Sequence, residues 1–401
     1  MQIRPILASL RKHRIPATLI VLEIALACAV LCNAVFMIGQ RLADIHWPNA
    51  IDEQGISVVT VNGTDAKLAA SDIPRDLAAL RGIAGVTAVA AATSMPLDQN
   101  PALSSFTTTP DGNTTVNTSV YFIGSGGEQA LGLRLLEGRF FNADEYADSG
   151  FKDFASTGHV MLITQSDARR LWPGQSALGK TLYTNEQAWT VVGVVADVLA
   201  QDPKMSGPGG RYSSAFFPLR PDGAMGDYVL RSAPQDRVRV LREALQVLGR
   251  LESDGVVQGA TYAGMRDAYF ADTRSMAWML LLVCMVMLAV TAFGIVGLTS
   301  FWVGQRRRQI GIRRAVGATR GHILQYFQTE NFLLGTAGVA LGMVLAFGIN
   351  LYLMQRYEMA RMPWYYLPVS AVALWVLGQL AVLGPALRAS NVPPVVATRS
   401  V

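Results

Sequence analysis

Four long apolar runs constrain this chain more than any other feature. They are Ile15–Ile38, broken only by Glu23, Asn33 and small polar groups; Met276–Val303, which contains WMLLLVCMVMLAVTAFGIVGL; Phe332–Tyr352; and Leu367–Leu387. Each reaches the roughly 20 residues that a helix needs to cross a hydrocarbon core. Only 16% of the residues are charged, against about 25% in soluble domains. The pattern predicts an α-helical membrane protein with four transmembrane helices. The first run follows a basic LRKHR and could pass for a signal peptide. Its length favours an uncleaved anchor.

Between the first two runs lie about 235 residues with no comparable stretch, enough for one or two compact units. The net charge of +5 is unevenly spread: residues 41–274 carry 20 basic and 26 acidic side chains, and the remainder carries 14 and 3. Basic residues cluster at Arg4, Arg11, Lys12 and Arg14, and again at Arg306, Arg307, Arg308, Arg313, Arg314 and Arg320. The positive-inside rule assigns those segments to the cytoplasm and the large domain to the outside. The basicity therefore reports topology and excludes a nucleic-acid partner. All three cysteines, Cys28, Cys32 and Cys284, fall in the spans, so the outer domain must fold without disulfides. Cys28 and Cys32 share a helix face and read as packing. The four histidines show no metal-ligand spacing, and no metal site is expected.

In the outer domain, GISVVTVN (55–62) reads as a strand and DIPRDLAALRGIAG as a helix, with Asp72 as N-cap and Pro74 in the first turn. VTAVAAAT reads as a second strand. Tyr228–Ser232 precedes an amphipathic helix whose apolar face runs Val238, Leu241, Leu245, Leu248, and VVQGATYA leads back to the membrane. Two β-α-β halves, about 55–93 and 228–263, thus flank a β-rich insertion at 94–227. The whole is a large α+β domain over 39–275.

That insertion contains GQSALGKT (174–181), which fits the phosphate-binding spacing G-x-x-x-x-G-K-[ST] at every position. A P-loop needs a strand before it and a helix after it, so that backbone amides and the lysine converge on phosphate. Here TQSDARRLWP reads as a helix, capped by Ser166 or Asp167 and stopped by Pro173. TLYTNEQAWTVVGVVADV reads as a hairpin turning at Thr184–Gln187. The order is reversed and the domain lies outside, where ATP is scarce. The match is read as a false P-loop, and no catalytic residue or cofactor is expected in this chain.

The loop 304–331 carries more information. The second span is expected to continue as a helix through Arg306–Arg308. Ile310, Ile312 and Val316 then form a small apolar surface, Gly317 breaks the helix, and Thr319 caps the next, whose Ile323, Leu324 and Phe327 run into the third span. A short amphipathic helix held crosswise by two helical stalks suits docking in a partner's groove.

This loop resembles the signature of FtsX-like permeases, the membrane subunits of MacB-like ABC transporters. The family pattern is an arginine-rich stretch, then acidic-Ile-Gly-Ile-Arg-Arg-Ala-aliphatic-Gly-Ala. It is met here by Arg308, Gln309, Ile310, Gly311, Ile312, Arg313, Arg314, Ala315, Val316, Gly317 and Ala318. Gln309 stands where the family carries glutamate, which puts in doubt any salt bridge from this position. The tail resembles the family ending through Pro385, Ala386, Arg388, Ala389, Pro394, Ala397 and Arg399. SMPL, LGLRLLEGRFF and VMLITQSDARRLWPGQSALGKTL…WTVVGVVADV resemble its periplasmic core domain, in which a glycine followed by a basic residue is common where Gly179–Lys180 falls.

The resemblance implies a multi-pass protein of the bacterial inner membrane. Its cytoplasmic termini would be 1–14 and 388–401, and its spans 15–38, 276–303, 332–352 and 367–387. A coupling loop at 304–331 and a short periplasmic loop at 353–366 would join them. It further implies a permease subunit working by mechanotransmission, with ATP bound and hydrolysed by a separate ABC ATPase subunit under the coupling loop. The permease would pair as a homodimer or with a paralogue, meet a periplasmic adaptor, and expel peptides, antibiotics or other amphipathic compounds. Lipoprotein release or other lipid handling, and FtsX-type signalling to a periplasmic hydrolase without transport, are the alternatives; the signalling class has a much smaller outer domain. By the same resemblance, Arg313 and Arg314 would contact the ATPase or lipid heads. Gly311 and Gly317 would permit close approach and the turn, and Pro385 and Arg388 would set the inner helix end. Glu23 is a candidate intramembrane functional carboxylate. No substrate-binding residue can be named from the sequence.

Overall fold

A computed structural model describes residues 14–63, 68–98, 102–110, 112, 115–146, 160–184, 187–204, 206–220, 226–252, 255–357 and 361–391. In chain order the elements are α1 (Arg14–Ile45), β1 (Ile56–Asn62), α2 (Ala69–Arg81), β2 (Val86–Ala92), β3 (Leu103–Thr107), β4 (Thr115–Ile123), α3 (Gly127–Leu131), β5 (Leu135–Gly138), β6 (Val160–Thr164), α4 (Gln165–Leu171), β7 (Thr181–Thr184) and β8 (Gln187–Val195). There follow α5 (Gly207–Gly210), β9 (Ser214–Pro218), β10 (Asp227–Ser232), α6 (Arg237–Leu251), β11 (Val256–Thr261), α7 (Tyr262–Tyr269), α8 (Ala271–Gln305), α9 (Arg307–Ala315), α10 (Arg320–Tyr357) and α11 (Tyr366–Ser390). Residues 47–271 form one compact unit; 1–46 with 272–401 form the other.

In the helical unit, α1, α8, α10 and α11 are long and apolar enough to cross a membrane. Each overruns the hydropathic span at both ends, because apolar composition marks only the lipid-crossing part of a helix. Lipid tails are as apolar as leucine, so helices in a bilayer associate through close packing and polar contacts. Gly338 and Gly342 on α10 supply the close packing. A Cβ on Gly342 would sit 2.5 Å from the Cys28 Cβ and 2.7 Å from the Ala25 carbonyl, and one on Gly338 2.8 Å from the Ile24 Cβ. The buried Asn33 amide adds a polar contact, donating to Ala346 O across the helix pair at 3.2 Å. Cys28 and Cys32 are buried in the same seam with sulfurs 3.9 Å apart.

The other unit begins with the sheet order β11-β1-β10-β2, all neighbours antiparallel. With α2 between β1 and β2 and α6 between β10 and β11, this is the split β-α-β, ferredoxin-like arrangement. Strand residues alternate between faces. Val59, Val61, Tyr228, Leu230, Val89 and Ala91 meet Ile73, Leu77 and Leu80 of α2 and Val240, Ala244 and Leu248 of α6 in one apolar cluster.

Two local expectations need correction. α2 starts at Ala69, three residues before Asp72; Asp72 instead pairs with Arg75 at 3.2 Å, and Pro74 lies inside the helix. The buried stripe of α6 is Val240, Ala244, Leu248, while Val238 is exposed. The small Ala244 lets the helix approach the sheet, where Leu241 and Leu245 pack over Gly259.

The insertion closes on itself. β4 pairs with β3, β3 with β7, β7 with β8, β8 with β6, β6 with β9, and β9 with β4, making a six-stranded ring. Closure removes the exposed strand edges that invite non-specific pairing. Phe217 sits in its core, with Trp189, Phe122 and Phe106 ring centroids 4.8, 5.6 and 6.1 Å away. A single residue pair, Ala92 with Ile123, joins the ring to the ferredoxin-like sheet.

Candidate functional site

The loop after α8 forms an elbow. At Arg306 the chain leaves helical geometry (φ −97°, ψ 7°), and α9 starts one residue later, so the expected uninterrupted helix is broken. The cause is the direction of the Arg306 side chain. It is 8% exposed, and its Nη1 lies 3.2 Å from both carboxylate oxygens of Glu330, itself 2% exposed. The guanidinium also sits 5.5 Å from the Trp302 ring centroid. A charge withdrawn from water needs such a partner.

On α9, Ile310 and Gly311 are buried, whereas Ile312 and Val316 are 49% and 84% exposed. Residues two apart on a helix point about 200° away from each other, so the expected single apolar surface of Ile310, Ile312 and Val316 divides. Ile310 anchors the helix inward. Ile312 and Val316 lie on an outer edge with Arg308, and Gln309, Arg313 and Ala315 are also exposed. Gly317 has φ +104°. Its N–H donates to Arg314 O and that of Ala318 to Arg313 O, at 3.1 and 3.0 Å; together these form the two-bond glycine C-cap. Thr319 Oγ1 then accepts from His322 N at 3.2 Å, capping α10, and Ile323 and Phe327 turn inward.

The elbow meets the C-terminal motif. Arg314 Nη1 donates to Ser390 O at 3.2 Å, and Ile310 shares one apolar cluster with Ala386 and Ala389. The Arg313 guanidinium lies 5.0 Å over the Tyr326 ring. Pro385 and Arg388 do not end α11: Pro385 is buried inside the helix, Arg388 is exposed, and the helix runs to Ser390 with Asn391 as cap. A proline within a helix removes one backbone bond without necessarily terminating it. Pro394, Ala397 and Arg399 lie outside the described residues. Glu23 is half-buried on α1, with its carboxylate directly over Gly294 of α8, and so belongs to a different part of the helical unit. Sequence reasoning missed the Arg306–Glu330 pair. The available signal was Glu330 itself, one of three acidic residues outside 41–274.

The false P-loop has a structural explanation. α4, whose N-cap position is Thr164 rather than Ser166 or Asp167, precedes the loop, and β7 follows it. Amides that would cradle phosphate are already used. Gln175 N donates to Trp172 O, Gly179 N to Val191 O and Lys180 N to Ala177 O, at 3.1, 2.9 and 3.2 Å. The Lys180 ammonium donates to Gln175 Oε1 and lies 5.4 Å over the Trp172 ring.

Comparison with known proteins agrees with this architecture. The family described as MacB-like periplasmic core domain matches residues 24–262, more than half the chain, and that described as FtsX-like permease C-terminal matches residues 281–394. The chain belongs to the FtsX/MacB-like ABC permeases. It is accordingly an inner-membrane protein with a periplasmic domain. A protein named Macrolide export ATP-binding/permease protein MacB from Chromobacterium violaceum is 26% identical over 401 residues, covering 96% of this chain and 57% of its own length. A namesake from Marinobacter nauticus is 28% identical over 227 residues, covering 53% of this chain and 32% of its own. The permease thus spans about half or less of the curated relatives it matches. Among solved structures, the extracellular domain of the noncanonic ABC-type transporter YknZ from Gram-positive bacteria aligns with TM-score 0.34 and 18% identity, over 51% of this chain and 99% of its own. The periplasmic region of MacB from Actinobacillus actinomycetemcomitans aligns with TM-score 0.37 and 14% identity, over 53% and 92%.

Proposed function

We propose that this permease is the membrane subunit of an ABC-type exporter working by mechanotransmission. An ATPase subunit on a separate chain docks under α9, and its ATP-driven closure moves α8 and α10. Those helices transmit the motion to the periplasmic domain, which expels peptides, antibiotics or other amphipathic compounds. Two permeases, identical or paralogous, pair in this scheme, and a periplasmic adaptor receives the cargo. The basic clusters support a cytoplasmic side for the elbow and both termini in this reading.

The observation that carries the reading is the division of labour on α9. Ile310 faces inward beside the Arg306–Glu330 pair, so the helix is anchored to both stalks. The outer edge, Arg308, Ile312 and Val316, presents apolar groups flanked by charge, the pattern of a helix that lies in a partner's groove. An anchored helix with a docking edge transmits a push; a loosely tethered one absorbs it.

The test is to co-purify the permease in nanodiscs with a candidate ABC ATPase subunit co-expressed from the same organism and to compare wild type with Ile312→Glu/Val316→Glu. Both side chains are exposed, so folding is expected to persist. Loss of association or of stimulated ATP hydrolysis supports the reading. A double variant that binds and hydrolyses like wild type overturns it. Arg313→Glu/Arg314→Glu is the companion pair, and is expected to act partly by releasing the Tyr326 and Ser390 contacts.

A further inference from the structure

Two short joining segments bound the periplasmic unit in sequence: residues 47–55 follow α1, and α7 with Phe270 precedes α8. They are tied to each other. Arg266 Nη2 donates to Trp47 O at 2.6 Å, and its Nη1 pairs with Glu53 at 2.6 Å. The Trp47 and Phe270 rings meet edge to face with centroids 5.9 Å apart. In sequence, both segments run directly into the ferredoxin-like sheet, through β1 and β11. The ring and that sheet already share one apolar cluster. A junction made only through β1 and β11 would leave the joined segments free to pivot against this core, as at a hinge.

A second junction lies on the ring side. Between β8 and β9, residues 197–204 and 206–212 form a strap that contains the single turn α5. The strap is fixed to the ring. Val198, Leu199, Ala200 and Gln201 are buried, Tyr121 Oη donates to Leu199 O at 3.1 Å, and Gln201 Nε2 donates to Val120 O at 2.8 Å. It also grips both joining segments. Toward the first, Ala50 N donates to Asp197 O at 3.1 Å, Leu199 N to Asn49 Oδ1 at 3.3 Å, and Tyr212 Oη to Pro48 O at 3.0 Å. The Arg211 guanidinium lies 3.8 Å from the Trp47 ring centroid. Its Nε is buried with no acceptor, an unfavourable state that the cation–π contact offsets. Toward the second, Tyr269 Oη donates to Asp202 Oδ1 at 2.5 Å. The Lys204 ammonium lies 4.6 and 5.3 Å from the Tyr269 and Phe270 ring centroids.

We propose that this strap is a brace: it fastens both joining segments to the ring, so that the segments and the whole periplasmic unit move as one body. β1 and β11 make one junction and the strap makes the other, and each blocks rotation at its counterpart. The backbone bonds to residues 48–50 fix the path of the first segment. The Lys204 and Arg211 contacts clamp one aromatic group on each segment, Tyr269 with Phe270 and Trp47. The brace is a property of the unit itself and is measured without ATPase or ATP, so it does not rest on the export reading. Under that reading it names the residues through which movement entering at either segment reaches the ring.

The experiment uses the full chain in nanodiscs, spin labels carried on non-natural amino acids, and distances from pulsed electron paramagnetic resonance. One label pair is Ala188 on β8 with Ala268 on α7, which reports the ring against a joining segment; both positions are exposed. The control pair is Ala188 with the exposed Gln246 on α6, which reports the shared core. Lys204→Gln/Arg211→Gln removes both cationic grips. Tyr212→Phe/Tyr269→Phe removes two hydroxyl donors and keeps every ring, so its fold is expected to persist. Wild type should give one narrow distribution for each pair. Each double variant should broaden or shift the Ala188–Ala268 distribution and leave that of Ala188–Gln246 as in wild type, a pattern that general loosening does not produce. The same pattern in one double variant alone also supports the brace, and shows which grip carries it. An Ala188–Ala268 distribution unchanged in both variants overturns the brace. So does a broad one in wild type, or broadening of both label pairs together in both variants.

Discussion

Glu330→Gln tests whether the elbow is held by a buried ion pair. The substitution keeps one oxygen to accept from Arg306 but removes the charge that balances a guanidinium only 8% exposed. Removing one partner of a buried pair typically costs about 3–5 kcal/mol, since the other charge is left uncompensated. The Trp302 ring lies 5.5 Å from the guanidinium whichever residue stands at 330, so it does not alter the difference. The destabilisation expected is about 3 kcal/mol, the low end of that range, because glutamine keeps an acceptor for the arginine. It should appear in equilibrium unfolding of the purified chain in mixed micelles, as a lower midpoint with unchanged slope. Arg306→Met/Glu330→Leu removes both charges with volumes roughly kept, and should lie near wild type, because a buried pair and its apolar replacement are often close in energy. Arg306→Met and Glu330→Leu made singly, with that double, then form a cycle whose interaction energy should be about 2 kcal/mol or more. A Glu330→Gln protein within about 0.5 kcal/mol of wild type, or a double variant as unstable as the sum of the singles, refutes the argument that charge pairing sets the break at Arg306.

Gly342→Val should separate α1 from α10. The new Cβ overlaps Cys28 and the Ala25 carbonyl, so a loss of about 3 kcal/mol, the upper end for overpacking, is expected in the same unfolding assay. Gly317→Ala has open space around it but must hold φ +104°, so about 1–2 kcal/mol should appear as faster amide exchange confined to the α9 C-terminus and the start of α10. Asp227 titrates at about 6 in the folded domain, against 3.8 as an ordinary aspartate. A raised carboxyl means that the folded state holds the proton more tightly, so the contribution of Asp227 to stability is fullest below about pH 4 and is lost as pH rises through about 6. Asp227→Asn, which keeps an oxygen for Thr60, should therefore be near wild type at pH 4 and up to about 3 kcal/mol more stable at pH 8. Tryptophan emission during thermal unfolding at the two pH values checks this, and a variant less stable at pH 8 reverses the sign. Lys180→Ala should leave ATP hydrolysis by the permease–ATPase complex unchanged, because the lysine is occupied by Gln175 and Trp172.

How far the fold could be read in advance depended on the range of the interaction involved. The β7–β8 hairpin is visible in sequence because two residues separate strands that pair from Thr181↔Thr190 to Thr184↔Gln187. The Gly317 cap and the Thr319 cap are equally local. Closure of the insertion into a ring rests on β4 pairing in parallel with β9, Ser119 against Ser214. β9 is buried at every position and β4 from Thr118 onward, but nothing in either sequence names the other. The row of Gln258, Thr60 and Asp227 was unreadable for the same reason: the three come from distant segments that only the sheet register brings together.

The elbow is the instructive intermediate case, because its sequence held the answer at a period that was not applied. Three arginines in succession look equivalent, and Ile310, Ile312 and Val316 look like one apolar patch. Taken at steps of four, the same residues fall into two stripes. Arg306, Ile310 and Arg314 form one, and all three are buried or half-buried against the rest of the helical unit. Arg308, Ile312 and Val316 form the other, and all three are exposed. The stripes are offset by two residues, about 200° around the helix, so one must face out when the other faces in. What sequence could not decide is which stripe goes inward. That choice is marked by Glu330, 24 residues along the chain from Arg306, whose buried carboxylate pairs with the first arginine of the inward stripe.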